Sequence, residues 1–171
     1  MPNMNMARAV FLDRDGVINK YREGYVKTID EFEILPHVDI YLKKIRKLGF
    51  KIIVLTNQSP VNRNLMRLDD LKMIHENLIN RLRKNKCIID DIFYCPHMPE
   101  VKCGCRKPAI GLFRQAQYKH DIRLNDSWMI GDSDTDIEAG RRAGCMTIKI
   151  KRDGTLKEAY KVIKKYEQNH N

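Results

Sequence analysis

Two aspartates stand two residues apart directly behind an apolar run, in the segment VFLDRDGVIN. Residues i and i+2 of an extended chain project to the same side, so Asp13 and Asp15 are expected to face one pocket. Two carboxylates this close repel each other unless a proton or a cation lies between them. Magnesium prefers oxygen ligands and keeps water or substrate phosphate in its remaining positions. The pair therefore predicts a magnesium site, and Gly16 behind it permits a tight turn.

A third acidic group follows a later apolar run, in the segment MIGDSDTD. Asp132 is expected to complete a magnesium ligand set with Asp13 and Asp15, because it would supply another carboxylate oxygen. Asp136, one turn further along, could orient these ligands, whereas Asp134 is expected to be the N-cap of a helix. The alternative is that the aspartates only form turns, as this residue type often does.

A cysteine-containing loop, YCPHMPEVKCGCRKP, carries four candidate zinc ligands in the spacing C-x-H-x5-C-x-C: Cys95, His97, Cys103 and Cys105. Three thiolates and one imidazole fill a closed tetrahedral shell, which is typical of a structural zinc site. Arg106 and Lys107 follow directly, so an ordered loop would also fix two cations suited to an anion. The alternative is four unrelated loop residues. The remaining thiols, Cys87 and Cys145, are expected to be buried in the core.

The totals favour one globular domain spanning residues 1–171, because 43% of the residues are hydrophobic and 32% are charged. No apolar run approaches the roughly 20 residues that cross a bilayer, and the first residues lack a secretory signal pattern, so a cytoplasmic location is expected. The net charge of +10 is compatible with an anionic partner, or with a lysine-rich solvated surface.

Apolar β-branched runs alternate with amphipathic segments along the chain. The predicted strands are ARAVFLD, FKIIVLTN, DIFYC, SWMIGD and MTIKI, and a last helix is expected from Thr155. This order predicts an α/β fold: a three-layer, Rossmann-like, doubly wound parallel sheet with helices on both faces. Ligands of such folds bind at the carboxyl ends of the strands. The candidate polar residues at those ends are Asp13, Asp15, Thr56, Asn57, Cys95 and Asp132.

Four motifs in this order resemble those of the haloacid dehalogenase (HAD) superfamily of phosphotransferases: DRDG, LTNQS, RKP and GDSDTD. The resemblance implies that Asp13 is a nucleophile for the phosphoryl group and that Asp15 is the general acid and base. It implies that Thr56 and Lys107 hold the phosphoryl oxygens. It also implies that Asp13, the backbone carbonyl of Asp15 and Asp132 bind magnesium. Covalent catalysis suits phosphate monoesters, whose uncatalysed hydrolysis is extremely slow.

The zinc loop before CRKP narrows the resemblance to a branch that contains heptose 1,7-bisphosphate 7-phosphatases and histidinol-phosphate phosphatases. The segment DRDGVINKYREGYVKTIDEFEILPHV resembles the heptose enzymes. Two features depart from them. The five residues between His97 and Cys103 match the histidinol-phosphate type, and Pro60 and Asn64 replace expected glycines.

The chain is too short to insert a cap domain, so three segments are expected to form the rim of the site: 20–26, 59–66 and the zinc loop. Arg106, with Arg22 and Arg63, is expected to bind the remote end of a small phosphorylated substrate, because a guanidinium matches a second phosphate. Asn57 is a further candidate for substrate binding.

Two alternative functions would explain part of the sequence. A polynucleotide 3′-phosphatase would explain the basic charge, but no arginine stripe with interleaved aromatics suits a nucleic-acid strand. A non-catalytic, basic zinc module would explain the cysteines and the charge, but not the acidic residues at the strand ends. The chain is expected to be a monomer.

Overall fold

The computed structural model describes residues 6–170. Their five strands form one parallel sheet: β1 (Arg8–Leu12), β2 (Phe50–Asn57), β3 (Asp91–Cys95), β4 (Trp128–Gly131) and β5 (Met146–Lys149). The α-helices are α1 (Val38–Lys47), α2 (Leu68–Lys84), α3 (Gly111–His120), α4 (Asp134–Ala143) and α5 (Lys157–His170). The five predicted strands and the predicted last helix are present, and their ends agree with the expectation to within two residues.

The strand order is β3-β2-β1-β4-β5, and each adjacent pair is parallel. The chain moves outward from β1 through β2 to β3, then crosses to β4 on the other side of β1. This reversal makes the carboxyl ends of β1 and β4 the topological switch point, where open α/β sheets bind their ligands. The sheet continues to the site itself, because the backbone N–H of Asp13 donates to the carbonyl of Ile130 over 3.0 Å.

Alternate residues of the central strands belong to two separate apolar layers. Val10 and Leu12 of β1 pack in the layer that contains the buried faces of α1, α2 and α5. Ala9 and Phe11 pack in the opposite layer, with α3 and α4. Burial on both faces explains why the strands are continuous apolar runs rather than alternating ones. The predicted three-layer, doubly wound architecture is confirmed.

The start of α4 differs from the sequence expectation. Ser133, not Asp134, is the N-cap: its hydroxyl accepts from the backbone N–H of Asp136, and the Asp136 carboxylate accepts from the backbone N–H of Ser133. This reciprocal pair is a capping box. Asp134 is the first helical residue and pairs with Lys149 on the surface. The cap fixes the orientation of Asp136, which turns that carboxylate toward the strand ends.

The segments between elements stay close to the single sheet. Short backbone bridges connect Asn19 with Asp15 and with Ile34, which folds the long β1–α1 connection against the end of β1.

Cys87 and Cys145 are buried in the apolar layers, as predicted. Within residues 6–170 no helix combines the length and the apolar character needed to cross a bilayer.

The buried face of α2 provides a stability test. Leu78 is fully buried, whereas Met73 on the same helix is 45% exposed. We expect Leu78→Ala to lower the free energy of unfolding by about 2–5 kcal/mol, because it leaves a cavity in a packed layer. Met73→Ala should change it by less than about 0.5 kcal/mol. Chemical denaturation of both variants measures the difference, and equal losses would contradict the assigned core face.

Candidate active site

A cavity of about 180 Å³ opens at the carboxyl ends of β1, β2 and β4. Four aspartates line it: Asp13, Asp15, Asp132 and Asp136. Three cationic side chains reach the same cavity: Arg22, Lys107 and Arg152. Its position matches the switch point of the sheet, so the fold brings together acidic groups from the first and fourth motifs.

The side chains of Asp13, Asp132 and Asp136 form the acidic cluster, in which one carboxylate oxygen from each lies within 4.8 Å of the others. Gly16 makes this approach possible: its φ is +82°, and a Cβ there would lie 2.6 Å from Oδ2 of Asp132. Three oxygen donors around a polar cavity suit magnesium, which retains water in its other positions. Asp136, predicted only to orient the ligands, belongs to the cluster itself.

Lys107 balances part of this charge. Its ammonium donates to Oδ1 of Asp13 over 2.8 Å and to the carbonyl of Leu55 over 2.6 Å, and it pairs with Oδ1 of Asp136 over 2.6 Å. An ammonium has three N–H donors, so these contacts fill it. Burial would lower the pKa of Lys107, but the carboxylates of Asp13 and Asp136 outweigh burial and raise it. The lysine is therefore charged.

The three carboxylates of the acidic cluster outnumber the two cations that contact them, Lys107 and Arg152. Burial raises the pKa of Asp13, and the negative charges of Asp136 and Asp15 raise it further, although the contact with Lys107 acts in the opposite direction. A nucleophilic carboxylate must be ionised, so the site favours one additional cation. The donor set thus fits a divalent metal on electrostatic as well as geometric grounds.

Asp15 lies in the cavity but points away from the acidic cluster. Its carboxylate accepts from Nη2 of Arg14 over 2.9 and 3.0 Å, from Asn19 over 2.9 Å and from Gln58 over 2.8 Å. Burial would raise the pKa of Asp15, but the charge and hydrogen bonds of Arg14, with those of Asn19 and Gln58, lower it. The expectation that the side chains of Asp13 and Asp15 share one cation is corrected here, because Arg14 compensates the second carboxylate. A ligand role for Asp15 rests on its backbone carbonyl.

The end of β2 supports the lysine and the acid–base candidate. The side chain of Asn57 donates to the carbonyl of Lys107 over 3.1 Å and accepts from its backbone N–H over 3.0 Å. Thr56 is buried and does not line the cavity; its hydroxyl accepts from Gln58 over 2.8 Å. Gln58, which the sequence did not single out, joins Thr56 to Asp15. Phosphoryl binding by Thr56 stays a prediction.

Arg152, also absent from the predicted set, follows β5 and closes one side of the cavity. Its Nε donates to Oδ2 of Asp132 over 2.5 Å, and its guanidinium lies 4.1 Å above the ring of Tyr21. The neighbouring Asp153 accepts from the backbone N–H of Tyr21 over 2.7 Å and donates its own N–H to Gly16 over 2.9 Å. This turn therefore anchors the rim segment 21–26 against the first motif.

A second cavity of about 460 Å³ adjoins the first and shares Asn57, Lys107 and Thr135 with it. Arg106 lies there and donates to the carbonyl of His97 over 3.1 Å, so the cysteine loop holds this arginine. Segment 20–26 lines the first cavity, whereas no residue of segment 59–66 lines either cavity. Arg63 of that segment is exposed and lines neither cavity.

The four predicted zinc ligands converge in the cysteine loop. Five of their donor-atom separations lie between 3.2 and 3.5 Å, and one donor atom from each residue lies within 4.8 Å of the rest. A tetrahedral zinc site with Zn–S bonds near 2.3 Å has sulfur–sulfur edges of about 3.8 Å. The cluster is slightly tighter than that, and a small outward shift of the thiols accommodates the ion. The donor set and arrangement fit a closed zinc shell.

The fold and the site define a hydrolase of the HAD class. The HAD-hydrolase-like family model matches residues 104–170. The structure of D,D-heptose 1,7-bisphosphate phosphatase from B. bronchiseptica, complexed with magnesium and phosphate, superimposes with a TM-score of 0.78. It is 34% identical and covers 82% of this chain and 78% of its own.

Curated relatives specify the family further. D-glycero-beta-D-manno-heptose-1,7-bisphosphate 7-phosphatase of Helicobacter pylori is 41% identical over 82% of this chain and 81% of its own. D-glycero-alpha-D-manno-heptose-1,7-bisphosphate 7-phosphatase of Photorhabdus laumondii is 39% identical over 85% of this chain and 84% of its own. The chain belongs to the D-glycero-D-manno-heptose 1,7-bisphosphate 7-phosphatase family of HAD phosphatases.

The cysteine cluster generates a metal prediction. We expect purified protein to contain about one zinc per chain, and Cys103→Ser to lose most of it, because a closed four-ligand shell depends on every donor. Elemental analysis measures the content. The matched control is Cys145→Ser, a buried thiol outside the cluster, which should keep its zinc. Full zinc content in Cys103→Ser would show that the ligand set is wrong.

Proposed function

We propose that this protein is a magnesium-dependent phosphomonoester hydrolase. It removes the 7-phosphate of D-glycero-D-manno-heptose 1,7-bisphosphate through an aspartyl-phosphate on Asp13. The observation that carries the proposal is the 2.8 Å contact between Lys107 and Oδ1 of Asp13, beside the acidic cluster at the switch point. The names of the curated relatives support the substrate.

Two metals belong to the proposal. Asp13, Asp132 and the carbonyl of Asp15 would hold magnesium, with Asp136 beside them; the ion would neutralise charge on the phosphoryl oxygens. The cysteine cluster would hold a structural zinc that fixes Arg106 and Lys107.

The first half of the reaction forms a bond between an Asp13 oxygen and phosphorus and breaks the bond from phosphorus to the substrate oxygen. The departing oxygen takes a proton from Asp15, so an alcohol leaves rather than an alkoxide. Before the attack, Lys107 donates to Asp13. Once that oxygen is esterified it becomes a poorer acceptor, which frees one N–H of the lysine for a phosphoryl oxygen.

The second half returns the enzyme to its starting state. Water attacks phosphorus, the bond to Asp13 breaks, and Asp15 accepts the proton of the water. The hydrogen bonds that keep Asp15 ionised in the free protein suit this base step. The acid step requires protonation, which the negative charge of a nearby phosphate favours, because like charge raises a carboxyl pKa.

The remote phosphate of the substrate is assigned to cations at the rim. Arg106 lines the larger cavity beside Lys107, in company with Lys102 and Arg142. Arg22 lines the catalytic cavity from the other side, where its Nε donates to the carbonyl of Glu31. A guanidinium offers a phosphate two parallel donors, so either arginine could recognise the second phosphate. The position of Arg63, which lines neither cavity, does not support a role in binding the second phosphate.

The remaining expectations complete the proposal. The short spacing between His97 and Cys103 resembles histidinol-phosphate phosphatases, so that substrate is tested alongside heptose bisphosphate. Residues 1–171 are proposed to act as one domain and as a cytoplasmic monomer; apolar layers shared by one sheet support the domain assignment.

A substrate panel tests this function. It contains both anomers of heptose 1,7-bisphosphate, histidinol phosphate and a 3′-phosphorylated oligonucleotide, assayed by phosphate release with and without magnesium. We expect the highest kcat/KM for a heptose bisphosphate. Asp13→Asn should lose at least roughly 10³-fold, because removal of a nucleophile leaves only binding and electrostatic effects.

The matched control is Asp134→Asn, because Asp134 directly follows the N-cap of α4 but pairs with Lys149 on the exposed surface and lies outside both cavities. It should retain wild-type activity. A wild-type preference for histidinol phosphate or the oligonucleotide would contradict the substrate. Equal activity of Asp13→Asn and wild type would contradict the mechanism.

A further inference from the structure

Arg14 separates the two motif aspartates and lies completely buried in the protein. A buried arginine must be paired, since an isolated charge in the interior is very costly. Its partners are Asp15 and His75, and the ring of Phe32 lies 5.8 Å from its guanidinium carbon. The proposed reaction uses neither Arg14 nor His75, so their arrangement requires a separate explanation.

The contact between Arg14 and Asp15 involves a single nitrogen. Nη2 donates to both carboxylate oxygens, over 2.9 and 3.0 Å, while Nε is buried without a hydrogen-bond partner. A fork of two nitrogens would fix the guanidinium against the carboxylate. One nitrogen leaves the group free to pivot about Nη2, so this contact alone does not define the orientation of Asp15.

The second attachment is His75, on the buried face of α2. Its Nε2 lies 3.2 Å from Nη1 of Arg14, and the two residues are 61 positions apart in the chain. Arginine only donates, so Nε2 must accept, which places the ring proton on Nδ1. Burial and the charge of Arg14 lower the pKa of His75 to about 3, which agrees with a neutral ring. The ring of Tyr94 packs 5.7 Å away.

We propose that His75 is a positioning residue for the acid–base step. It accepts from Nη1 of Arg14, stops the guanidinium from pivoting, and thereby holds the carboxylate of Asp15 in one orientation. This inference rests on the role proposed above for Asp15 in proton transfer. It adds a chain of contacts from His75 on α2 through Arg14 to Asp15, in which neither His75 nor Arg14 touches the substrate.

Other partners of Asp15 do not replace this support. Asn19 donates to Oδ1 and Gln58 donates to Oδ2, so with Nη2 each oxygen accepts two hydrogen bonds. A carboxylate offers about four acceptor positions, and all of them are filled. Proton transfer must displace one donor, and Gln58, which lines the cavity, is the accessible one. Arg14 and Asn19 must then hold the group alone, and Arg14 is held by His75.

The test compares His75→Leu with His75→Gln on two substrates of similar size. p-Nitrophenyl phosphate releases a stable phenolate, whereas benzyl phosphate releases an alcohol that needs a proton. General acid catalysis contributes roughly 10²–10⁴-fold, so we expect His75→Leu to lose at least about 30-fold in kcat/KM for benzyl phosphate and less than about threefold for p-nitrophenyl phosphate. His75→Gln, whose amide oxygen can accept from Arg14, should recover most of the loss.

Leu78→Ala is the control, because it removes buried volume from the same face of α2 without a polar link to Arg14. If the role of His75 is purely structural, each of the two variants, Leu78→Ala and His75→Leu, should lower kcat/KM for benzyl phosphate and for p-nitrophenyl phosphate by the same factor. The inference would be overturned if His75→Leu lowered kcat/KM for the two substrates by equal factors. It would also be overturned if His75→Gln were as impaired as His75→Leu.

The two generic phosphates make this test independent of the proposed substrate. If the protein does not hydrolyse heptose bisphosphate, the comparison of benzyl phosphate with p-nitrophenyl phosphate still applies. A crystal structure of His75→Leu gives a readout that needs no turnover. The inference expects Nη2 of Arg14 to lose at least one of its contacts with Asp15. Retention of both contacts with an unmoved guanidinium would overturn it, whatever the substrate proves to be.

Discussion

The structure depends most on one buried ammonium. Lys107 is held between Asp13, Asp136 and the carbonyl of Leu55, with all three of its donors used. Lys107 reduces the repulsion among the three carboxylates of the acidic cluster, and Arg152 pairs with Asp132, but these two cations do not balance three negative charges. The remaining negative charge attracts a divalent cation to the site. Without that cation, the same charge would repel a phosphate dianion.

Neighbouring elements of the fold hold Lys107 at the switch point of the sheet. Asn57 binds both backbone polar groups of Lys107, and the cysteine cluster precedes it by two residues, so the lysine is fixed from β2 and from the loop. The N-cap of α4 orients Asp136 from the opposite side. Lys107 and Asp136 are thus fixed against each other by the end of β2, the cysteine loop and the cap of α4.

The sequence predicted the sheet, the order of elements and most of the residues at the site, because strand ends, motif spacing and cysteine spacing are local patterns. It missed features that depend on contacts between distant residues. The apolar stripe of α2 indicates that position 75 is buried, but no periodicity relates it to Arg14. The sequence also did not predict the directions of the side chains. The alternation of residues along a strand places Asp13 and Asp15 on one side of the chain, but Arg14 turns the carboxylate of Asp15 away from the acidic cluster. Arg152 reaches Asp132 because β5 ends beside β4, whose last residue, Gly131, directly precedes Asp132.

The most direct test of the central claim is anomalous diffraction from crystals soaked in manganese, which occupies oxygen sites similar to those of magnesium. We expect one strong peak at the strand ends, bonded to Asp13 and Asp132 at distances close to the roughly 2.0–2.1 Å of magnesium–oxygen bonds, with Lys107 still in contact with Asp13 or Asp136. A peak that avoids these carboxylates, or the absence of any peak at saturating manganese, would contradict the claim that Lys107 and Arg152 leave the acidic cluster one cation short.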